Sequence, residues 1–200
     1  NIRIDRPVAI KLLLEASHSR SRSGVIERFI SEARAAASLH HPNVIDTLDA
    51  DEHEGMPFIV LELLEGEPLS ARMAREHRLS PEATTEIIAP LLDALQAVHA
   101  KGIVHRDIKP DNIFLAKIGG RVVPKLLDFG IAKLRDAAIA TQTGSILGTP
   151  TYMSPEQARG AIREMGPATD LWALGVVMYE CLTGSLPHDV GEGCSPLLLL

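Results

Sequence analysis

Residues 105–112 read His-Arg-Asp-Ile-Lys-Pro-Asp-Asn, and this stretch is the most informative part of the sequence. Within it, Asp107, Lys109 and Asn112 place three unlike polar groups in one short loop. A carboxylate can accept a hydroxyl proton, an ammonium group can neutralise a phosphate, and an amide oxygen can bind a hard cation. Considered alone, the three residues would more often form a charged surface turn, so the surrounding sequence has to decide.

A second acidic residue follows the loop after a short apolar run. Residues 125–127 read Lys-Leu-Leu, and the triplet Asp-Phe-Gly begins directly after them at Asp128. The carboxylate of Asp128 would add a second oxygen ligand near Asn112. Two oxygen ligands of this kind suit a Mg²⁺ ion bound to a nucleotide. The spacing therefore favours a functional loop over a surface turn.

The composition limits the class of protein. The 200 residues are 46% hydrophobic and 23% charged, which is typical of a folded domain and excludes a disordered chain. Only two cysteines, Cys181 and Cys194, are present, so a disulfide scaffold is excluded. The formal net charge of −6 argues against a nucleic-acid surface, and no apolar run reaches the ~18 residues of a membrane span. We expect an acidic cytoplasmic domain that contacts neither nucleic acid nor, within this segment, a membrane.

The first third of the chain predicts strands around one helix. Residues 7–14 and 58–64 are short apolar runs of the kind found in buried strands. Between them, apolar residues recur at helical spacing over residues 25–38, which predicts an amphipathic helix. This helix is expected to end before Pro42, because the residue before a proline disfavours helical geometry.

The later part of the chain predicts mainly helices. Ser80 followed by Pro81 is a start signal for a helix that runs to about Ala100. Pro90 lies inside this helix and is expected to kink or split it. Residues 170–182 predict a second, strongly apolar helix.

The change in composition along the chain predicts an α+β fold with two lobes. The first lobe would be rich in strands and the second rich in helices, with a cleft near residues 62–66. Residues 116–124 indicate a hairpin within the second lobe.

The chain resembles the catalytic domain of protein kinases, and specifically the eukaryotic-like (Hanks-type) serine/threonine protein kinases of bacteria. No single motif decides this, but five occur in the family's order. They are Val-Ala-Ile-Lys at 8–11, a helix with Glu32, the loop at 105–112, Asp-Phe-Gly at 128–130 and Ser-Pro-Glu at 154–156.

The resemblance implies a two-lobed kinase fold with defined boundaries. Residues 1–61 would form a partial N-lobe, residues 62–66 the hinge, and residues 67–200 a partial C-lobe. The family's glycine-rich turn is not found before Lys11, and the sequence after residue 185 does not resemble the usual continuation. We therefore expect a kinase domain that is truncated at both ends.

The resemblance implies that the domain uses ATP and Mg²⁺. Lys11 would bind the α- and β-phosphates while paired with Glu32, and Asn112 and Asp128 would hold the metal. Considered without the family, Lys11 could be a strand-end lysine that packs its stem on apolar surface, and Glu32 could lie on a solvated helix face.

The resemblance also assigns the residues around the transferred group. Asp107 would accept the proton of the substrate hydroxyl, and Lys109 would contact the transferring phosphoryl group. Phosphoryl transfer depends on positioning and charge neutralisation, so no serine or cysteine nucleophile is required.

The adenine pocket follows from the same resemblance. Ala9 and Phe114 would enclose the base, and Leu61 would close the back of the pocket. Backbone groups of the hinge from Glu62 to Leu64 would hydrogen-bond the purine edge. These apolar residues could equally be ordinary core, and the two interpretations are compatible.

Substrate choice and regulation are implied by residues around the loop. Lys109 and Thr149 resemble positions typical of serine/threonine kinases. Thr141 and Thr143 match autophosphorylated threonines of the bacterial relatives, and Arg106 is a natural partner for a phosphate at either position. The alternative is that residues 141–145 form a simple polar loop.

Two other functions remain open from the sequence. One is an inactive kinase fragment or pseudokinase-like binding module, and the other is a small-molecule kinase with the same fold. The expected partners of a kinase are a protein substrate with a serine or threonine acceptor and a second kinase copy in a homodimer. The full-length protein could carry a membrane anchor outside this segment.

Overall fold

The computed structural model describes residues 7–12, 37, 39–54, 56–128 and 150–187. The helix predicted for residues 25–38, including Glu32, lies outside these ranges apart from Ala37, which is helical. Thr141, Thr143 and Thr149 also lie outside the described residues.

The first sheet carries the predicted lysine strand. Strand β1 (Val8–Leu12), strand β2 (Thr47–His53) and strand β3 (Met56–Glu62) pair antiparallel in the order β1-β3-β2. The strands predicted at 7–14 and 58–64 are confirmed, although the second begins and ends two residues earlier than expected. The register sets Lys11 opposite Ile59, which is buried.

A second antiparallel sheet lies in the later part of the chain. It consists of strand β4 (Gly66–Pro68), strand β5 (Ile113–Ile118) and strand β6 (Arg121–Leu126), in that order. The predicted hairpin is present, and its tight turn is formed by Gly119 and Gly120, whose φ angles are 56° and 77°. Positive φ at both turn residues suits glycine, because a Cβ is disfavoured there. The interpretation of this region as mainly helical missed strand β4 and its pairing with β5.

The long helices are those that the sequence predicts. Helix α1 (Leu69–Glu76) precedes helix α2 (Pro81–Ala100), which begins where Ser80 Oγ accepts a hydrogen bond from Ala83 N. Helix α2 runs unbroken through Pro90, so of the two expected effects, a kink or a split, the split does not occur. The neighbouring Ile87 and Leu91 are buried in the core, and their packing compensates for the missing backbone hydrogen bond.

Two further helices complete the described part of the chain. Helix α3 (Pro155–Ala158) is a single turn, and helix α4 (Pro167–Thr183) begins three residues before the predicted start. Helix α4 ends at Gly184, whose φ of 73° is the left-handed geometry that favours glycine. Among the described residues, no helix combines the length and apolar character needed to cross a bilayer.

The main hydrophobic core lies between α2, α4 and the second sheet. Its fully buried members include Leu91, Ile113, Leu126 and Val177.

The connection between the two sheets runs through the segment before β2. Ile45 N donates to Leu126 O at 3.0 Å, and Leu126 N donates to Asn43 O at 2.9 Å. These bonds fix the end of β6, two residues before Asp128, against the segment that leads into the first sheet.

Candidate active site

Lys11 and Asp128 meet in the structure. Lys11 lies on β1 and Asp128 follows β6, yet Lys11 Nζ lies 2.5 Å from Asp128 Oδ1. The side chains remain 38% and 29% exposed, so both groups are accessible to a ligand. An ammonium group held beside a carboxylate in an open position can contact phosphate oxygens while the carboxylate contacts a cation.

The loop at 105–112 brings its three predicted residues together. Asn112 closes a 3₁₀ turn (Pro110–Asn112), and its Nδ2 donates to Asp107 Oδ2 at 2.9 Å and to Asp107 O at 2.7 Å. Lys109 Nζ lies 3.2 Å from the same Oδ2. Both donors therefore use one carboxylate oxygen of Asp107, and Oδ1 has no hydrogen-bond partner among the described residues.

Asp170 anchors the start of the loop. Its fully buried carboxylate accepts hydrogen bonds from His105 N at 2.8 Å and from Arg106 N at 2.7 Å. His99 Nε2 lies 2.7 Å from the same carboxylate. A buried charge has to be paired and hydrogen-bonded, and these contacts meet that requirement. Helix α4 thereby holds the backbone that leads to Asp107.

His105 links the loop to the strand that carries Asp128. The side chain is fully buried, and Nε2 lies 2.7 Å from Leu127 O. Its Nδ1 accepts a hydrogen bond from Asp107 N at 3.3 Å, which places the ring proton on Nε2 as a donor to Leu127. Leu127 N donates to Asn112 O at 2.9 Å. The backbone N–H and the carbonyl oxygen of Leu127, the residue before Asp128, are therefore both hydrogen-bonded to the loop.

Two residues of the site adopt left-handed backbone geometry. Arg106 has φ 66° and Asp128 has φ 63°. This geometry costs a non-glycine residue roughly 1–3 kcal/mol and persists only where the surroundings enforce it. Arg106 directly precedes Asp107, and Asp128 is itself strained. The strain therefore lies at the two carboxylates that the sequence singles out.

The ligands around Asp128 fit a magnesium ion. Asp128 offers a carboxylate, and Asn112 offers an amide oxygen because its Nδ2 is turned towards Asp107. The bond between Leu127 N and Asn112 O keeps the two side chains on neighbouring backbone. Carboxylate and amide oxygens match the preference of Mg²⁺, which completes its shell with water and phosphate oxygens.

The predicted adenine residues lie on the strands that flank the hinge. Ala9 on β1 is paired with Leu61 on β3, and Phe114 lies on β5, where it is half-buried. Leu64 lies between β3 and β4 and is partly exposed. Glu62 N donates to Asp46 O at 3.0 Å, so any backbone contact of Glu62 with a base must use its carbonyl oxygen.

The end of the predicted hinge is held close to β5 by a glycine. A Cβ on Gly66 would lie 2.1 Å from Leu115 O and 3.0 Å from a ring carbon of Phe114. The φ angle of Gly66 is 146°, which side chains rarely adopt. Only glycine fits this position, and its absence of a side chain brings the hinge against the strand of Phe114.

The comparison with known proteins decides the family. A model of the protein kinase domain matches residues 1–195. The chain belongs to the protein kinase domain family. This confirms the resemblance and the two-lobed α+β fold that the sequence predicts.

Bacterial serine/threonine kinases are among the curated relatives of this kinase domain. Over its whole length it is 44% identical to serine/threonine-protein kinase Pkn1 of Myxococcus xanthus, of which it covers 28%. It is 43% identical to serine/threonine-protein kinase PknA of Mycobacterium tuberculosis, with 96% of the chain and 44% of the relative covered. It is 41% identical to serine/threonine-protein kinase PkaB of Streptomyces coelicolor, with 94% and 45% covered. The chain therefore spans less than half the length of these relatives.

The kinase domain contains a buried ion pair that the sequence analysis missed. Lys125 Nζ lies 2.6 Å from Glu62 Oε1 and donates to Val44 O at 3.2 Å. The side chains are only 6% and 13% exposed. Asp46 N also donates to Glu62 Oε1, at 2.9 Å. The pair joins the end of β3 at the hinge to β6, three residues before Asp128.

The Ser-Pro-Glu segment is fixed to helix α4. Glu156 Oε1 accepts a hydrogen bond from Thr169 Oγ1 at 2.6 Å, and Tyr152 OH donates to Glu180 Oε2 at 2.7 Å. Burial and the bond to Glu180 raise the pKa of the Tyr152 phenol above its usual range. Burial also raises the pKa of Glu156, but hydrogen bonds from Thr169 and from its own backbone outweigh burial and hold that pKa below its usual range.

Asp170 was missed because its role depends on tertiary structure. The sequence shows it only as a helix residue, although it is one of two acidic residues in an otherwise apolar helix, the other being Glu180. A carboxylate on a face that must be buried needs a specific partner. That signal was available, but the partners lie more than 60 positions away in the sequence.

Proposed function

We propose that the protein transfers the γ-phosphoryl group of ATP to serine or threonine hydroxyls of proteins. The observation that carries this proposal is the contact between Lys11 and Asp128 beside the hydrogen-bonded set of Asp107, Lys109 and Asn112. Membership of the kinase domain family and the curated serine/threonine kinases among its relatives support the same conclusion.

The geometry suggests a role for each group. Lys11 would hold phosphate oxygens of ATP, and Lys109 would neutralise charge on the phosphoryl group during transfer. Asn112 and Asp128 would hold Mg²⁺, which supplies positive charge to the phosphates when it is bound. Ala9, Leu61, Leu64 and Phe114, with the carbonyl of Glu62, would enclose the base.

Asp107 would act on the substrate hydroxyl through Oδ1. Because Lys109 and Asn112 both bind Oδ2, the remaining oxygen is the one that can receive a proton. As the hydroxyl oxygen forms its bond to the γ-phosphorus, its proton passes to Oδ1. The bond to the bridging oxygen breaks, and its electron pair leaves with ADP.

The test is the variant Asp107→Asn in the full-length protein. Asparagine can still accept the hydrogen bond from Asn112, so the loop should keep its shape while the proton acceptor is lost. We expect phosphotransfer to fall by roughly 10²–10⁴-fold, as for the loss of a general base. Asp111→Asn is the matched control, because Asp111 makes the same change at an exposed position of the same loop.

Three results are possible. A large loss in Asp107→Asn alone supports the proposal. Equal activity of both variants and the parent contradicts the role of Asp107. A parent that binds Mg-ATP without transferring phosphate, either to itself or to added protein, would favour the pseudokinase-like binding module instead.

We also propose that Thr141 or Thr143 is autophosphorylated and that the phosphate is bound by Arg106. Arg106 is partly buried directly beside Asp107. A phosphate bound by Arg106 would therefore add negative charge next to the loop at 105–112. Thr149 would contact Asp107 and Lys109 and shape the substrate pocket. Mass spectrometry after incubation with Mg-ATP tests the sites, and an active sample without phosphate on Thr141 or Thr143 would contradict them.

The remaining proposals concern partners and location. If one kinase copy phosphorylates another in a homodimer, the initial rate of autophosphorylation per molecule should rise with protein concentration. A rate that does not depend on concentration contradicts this arrangement, unless the dimer is permanent, which sedimentation would show. We place the domain in the cytoplasm, where ATP is available, with any membrane anchor outside this segment.

A further inference from the structure

The backbone immediately before Asp107 is held from two sides. Arg106 has left-handed geometry, with φ 66°. Its N–H donates to Asp170 Oδ1 at 2.7 Å, and its carbonyl oxygen accepts a hydrogen bond from Gln157 Nε2 at 2.8 Å. Gln157 belongs to α3, so this second contact comes from the Ser-Pro-Glu segment and not from the loop itself.

The side chain of Gln157 is bound at both ends. Its Oε1 accepts from Ser154 N at 3.1 Å and from Ser154 Oγ at 3.3 Å, while Nε2 donates to Arg106 O. One end faces an N–H group and the other faces a carbonyl oxygen, so the amide has one possible orientation. Only a side chain with an acceptor and a donor at its two ends can make this connection.

The carbonyl that Gln157 binds sets the orientation of the backbone N–H of the next residue, Asp107. Arg106 O and Asp107 N belong to one planar peptide unit, so fixing the oxygen also fixes the direction of the N–H. That N–H donates to His105 Nδ1 at 3.3 Å. A left-handed residue tends to relax to more common geometry when its contacts are lost, and such a change would turn this peptide unit.

We propose that Gln157 is a positioning residue for the phosphotransfer reaction. By binding Arg106 O it holds the peptide plane before Asp107 and links α3 to the proton acceptor. A displacement of α3 would therefore move Asp107 even where no residue of the loop at 105–112 is substituted. This inference rests on the proposed function, and it concerns a residue outside the proposed ATP and acceptor sites.

The decisive variant is Gln157→Glu in the full-length protein. A glutamate has the same shape and can still accept from Ser154. Its second oxygen cannot donate to Arg106 O, and its negative charge would repel the partial negative charge of that carbonyl oxygen. Capping of α3 is therefore kept, while the single bond to the loop is lost. Gln96→Glu is the matched control, because Gln96 undergoes the same change at an exposed position of α2.

Two readouts separate positioning from general stability. We expect kcat to fall roughly 10- to 100-fold, as for a small misplacement of a catalytic group, with KM for ATP and the midpoint of thermal unfolding unchanged. We also expect faster amide hydrogen exchange in residues 105–108 of the variant, since the loop loses one of its anchors. The control should match the parent in all of these measurements.

The outcomes distinguish this inference from the proposed function. If the parent is active and Gln157→Glu keeps both its kcat and its exchange rates, Gln157 has no positioning role and the proposed function stands. If the parent is inactive, the proposed function fails, and hydrogen exchange still tests whether Gln157 holds the loop. If the variant is destabilised, Gln157→Met removes the bond without adding charge, and unchanged exchange in 105–108 would overturn the inference.

Discussion

The ammonium group of Lys11 lies 2.5 Å from the carboxylate of Asp128, although 117 positions separate them in the sequence. Lys11 belongs to the first sheet, and Asp128 follows the last strand of the second. The contact therefore lies where the two sheets approach each other. The bonds between residues 43–45 and Leu126 keep that approach in place.

The first prediction concerns this pair. Lys11→Met should lower phosphotransfer by roughly 10²-fold or more, because a preorganised charge that holds the phosphates of ATP is lost. The pair is partly exposed, so the variant should change the free energy of unfolding by less than about 1 kcal/mol. Steady-state phosphotransfer and urea unfolding measure the two effects. Lys117→Met, at an exposed position of β5, is the control, and a similar loss of activity there would refute a specific role for Lys11.

The second prediction concerns the buried pair of Glu62 and Lys125. Lys125→Met should destabilise the domain by roughly 3–5 kcal/mol, because it leaves the Glu62 carboxylate buried without its cation. The double variant with Glu62→Leu should recover much of this loss, since neither charge then remains. Urea unfolding of the parent, the single variant and the double variant measures the loss and its recovery. A single variant as stable as the parent would show that water replaces the ammonium group.

The third prediction uses the lowered pKa of Glu156. A carboxyl with a folded-state pKa below its unfolded value stabilises the protein above the unfolded pKa and loses that contribution as the pH falls through the folded pKa. The parent should therefore be more stable than Glu156→Gln near neutral pH. The difference should shrink as the pH falls below 4.5, the ordinary pKa of the glutamate side chain. Unfolding of both proteins across this range checks the sign, and a difference that grows with acidity would contradict it.

The sequence predicts those elements whose signals are local. Ser80 and Pro81 start helix α2 where expected, because capping depends on residues within one turn. The apolar run at 58–64 predicts β3 with a shift of two residues, since the edge of a strand depends on its partners. Strand β4 has three residues, too few to show a period, and it exists because Gly66 can approach β5.

The residues of the candidate site also fall into two groups, those that the sequence predicts and those that only the structure shows. Asp107, Lys109, Asn112 and Asp128 stand out because they lie in short motifs that occur in the order of a known family. Asp170 and Gln157 do not, because each acts by binding backbone atoms that lie far away in the sequence. Every residue type has the same backbone carbonyl, and all but proline have a backbone N–H, so the sequence does not show which backbone atoms a side chain will bind. Only the fold shows which residues hold the loop.

The last prediction concerns the thiol of Cys181 at the end of helix α4. The residue is fully buried, with Sγ 3.8 Å from Met73 Sδ, and burial raises the pKa of the thiol to about 11. Because the thiolate is the reactive form, Cys181 should resist thiol reagents at mildly alkaline pH while the protein is folded. The experiment uses Cys194→Ser, so that Cys181 is the remaining cysteine of the 200 residues. The reagent should modify it only when the protein unfolds, and rapid labelling without urea would show that α4 opens from the core in the folded state.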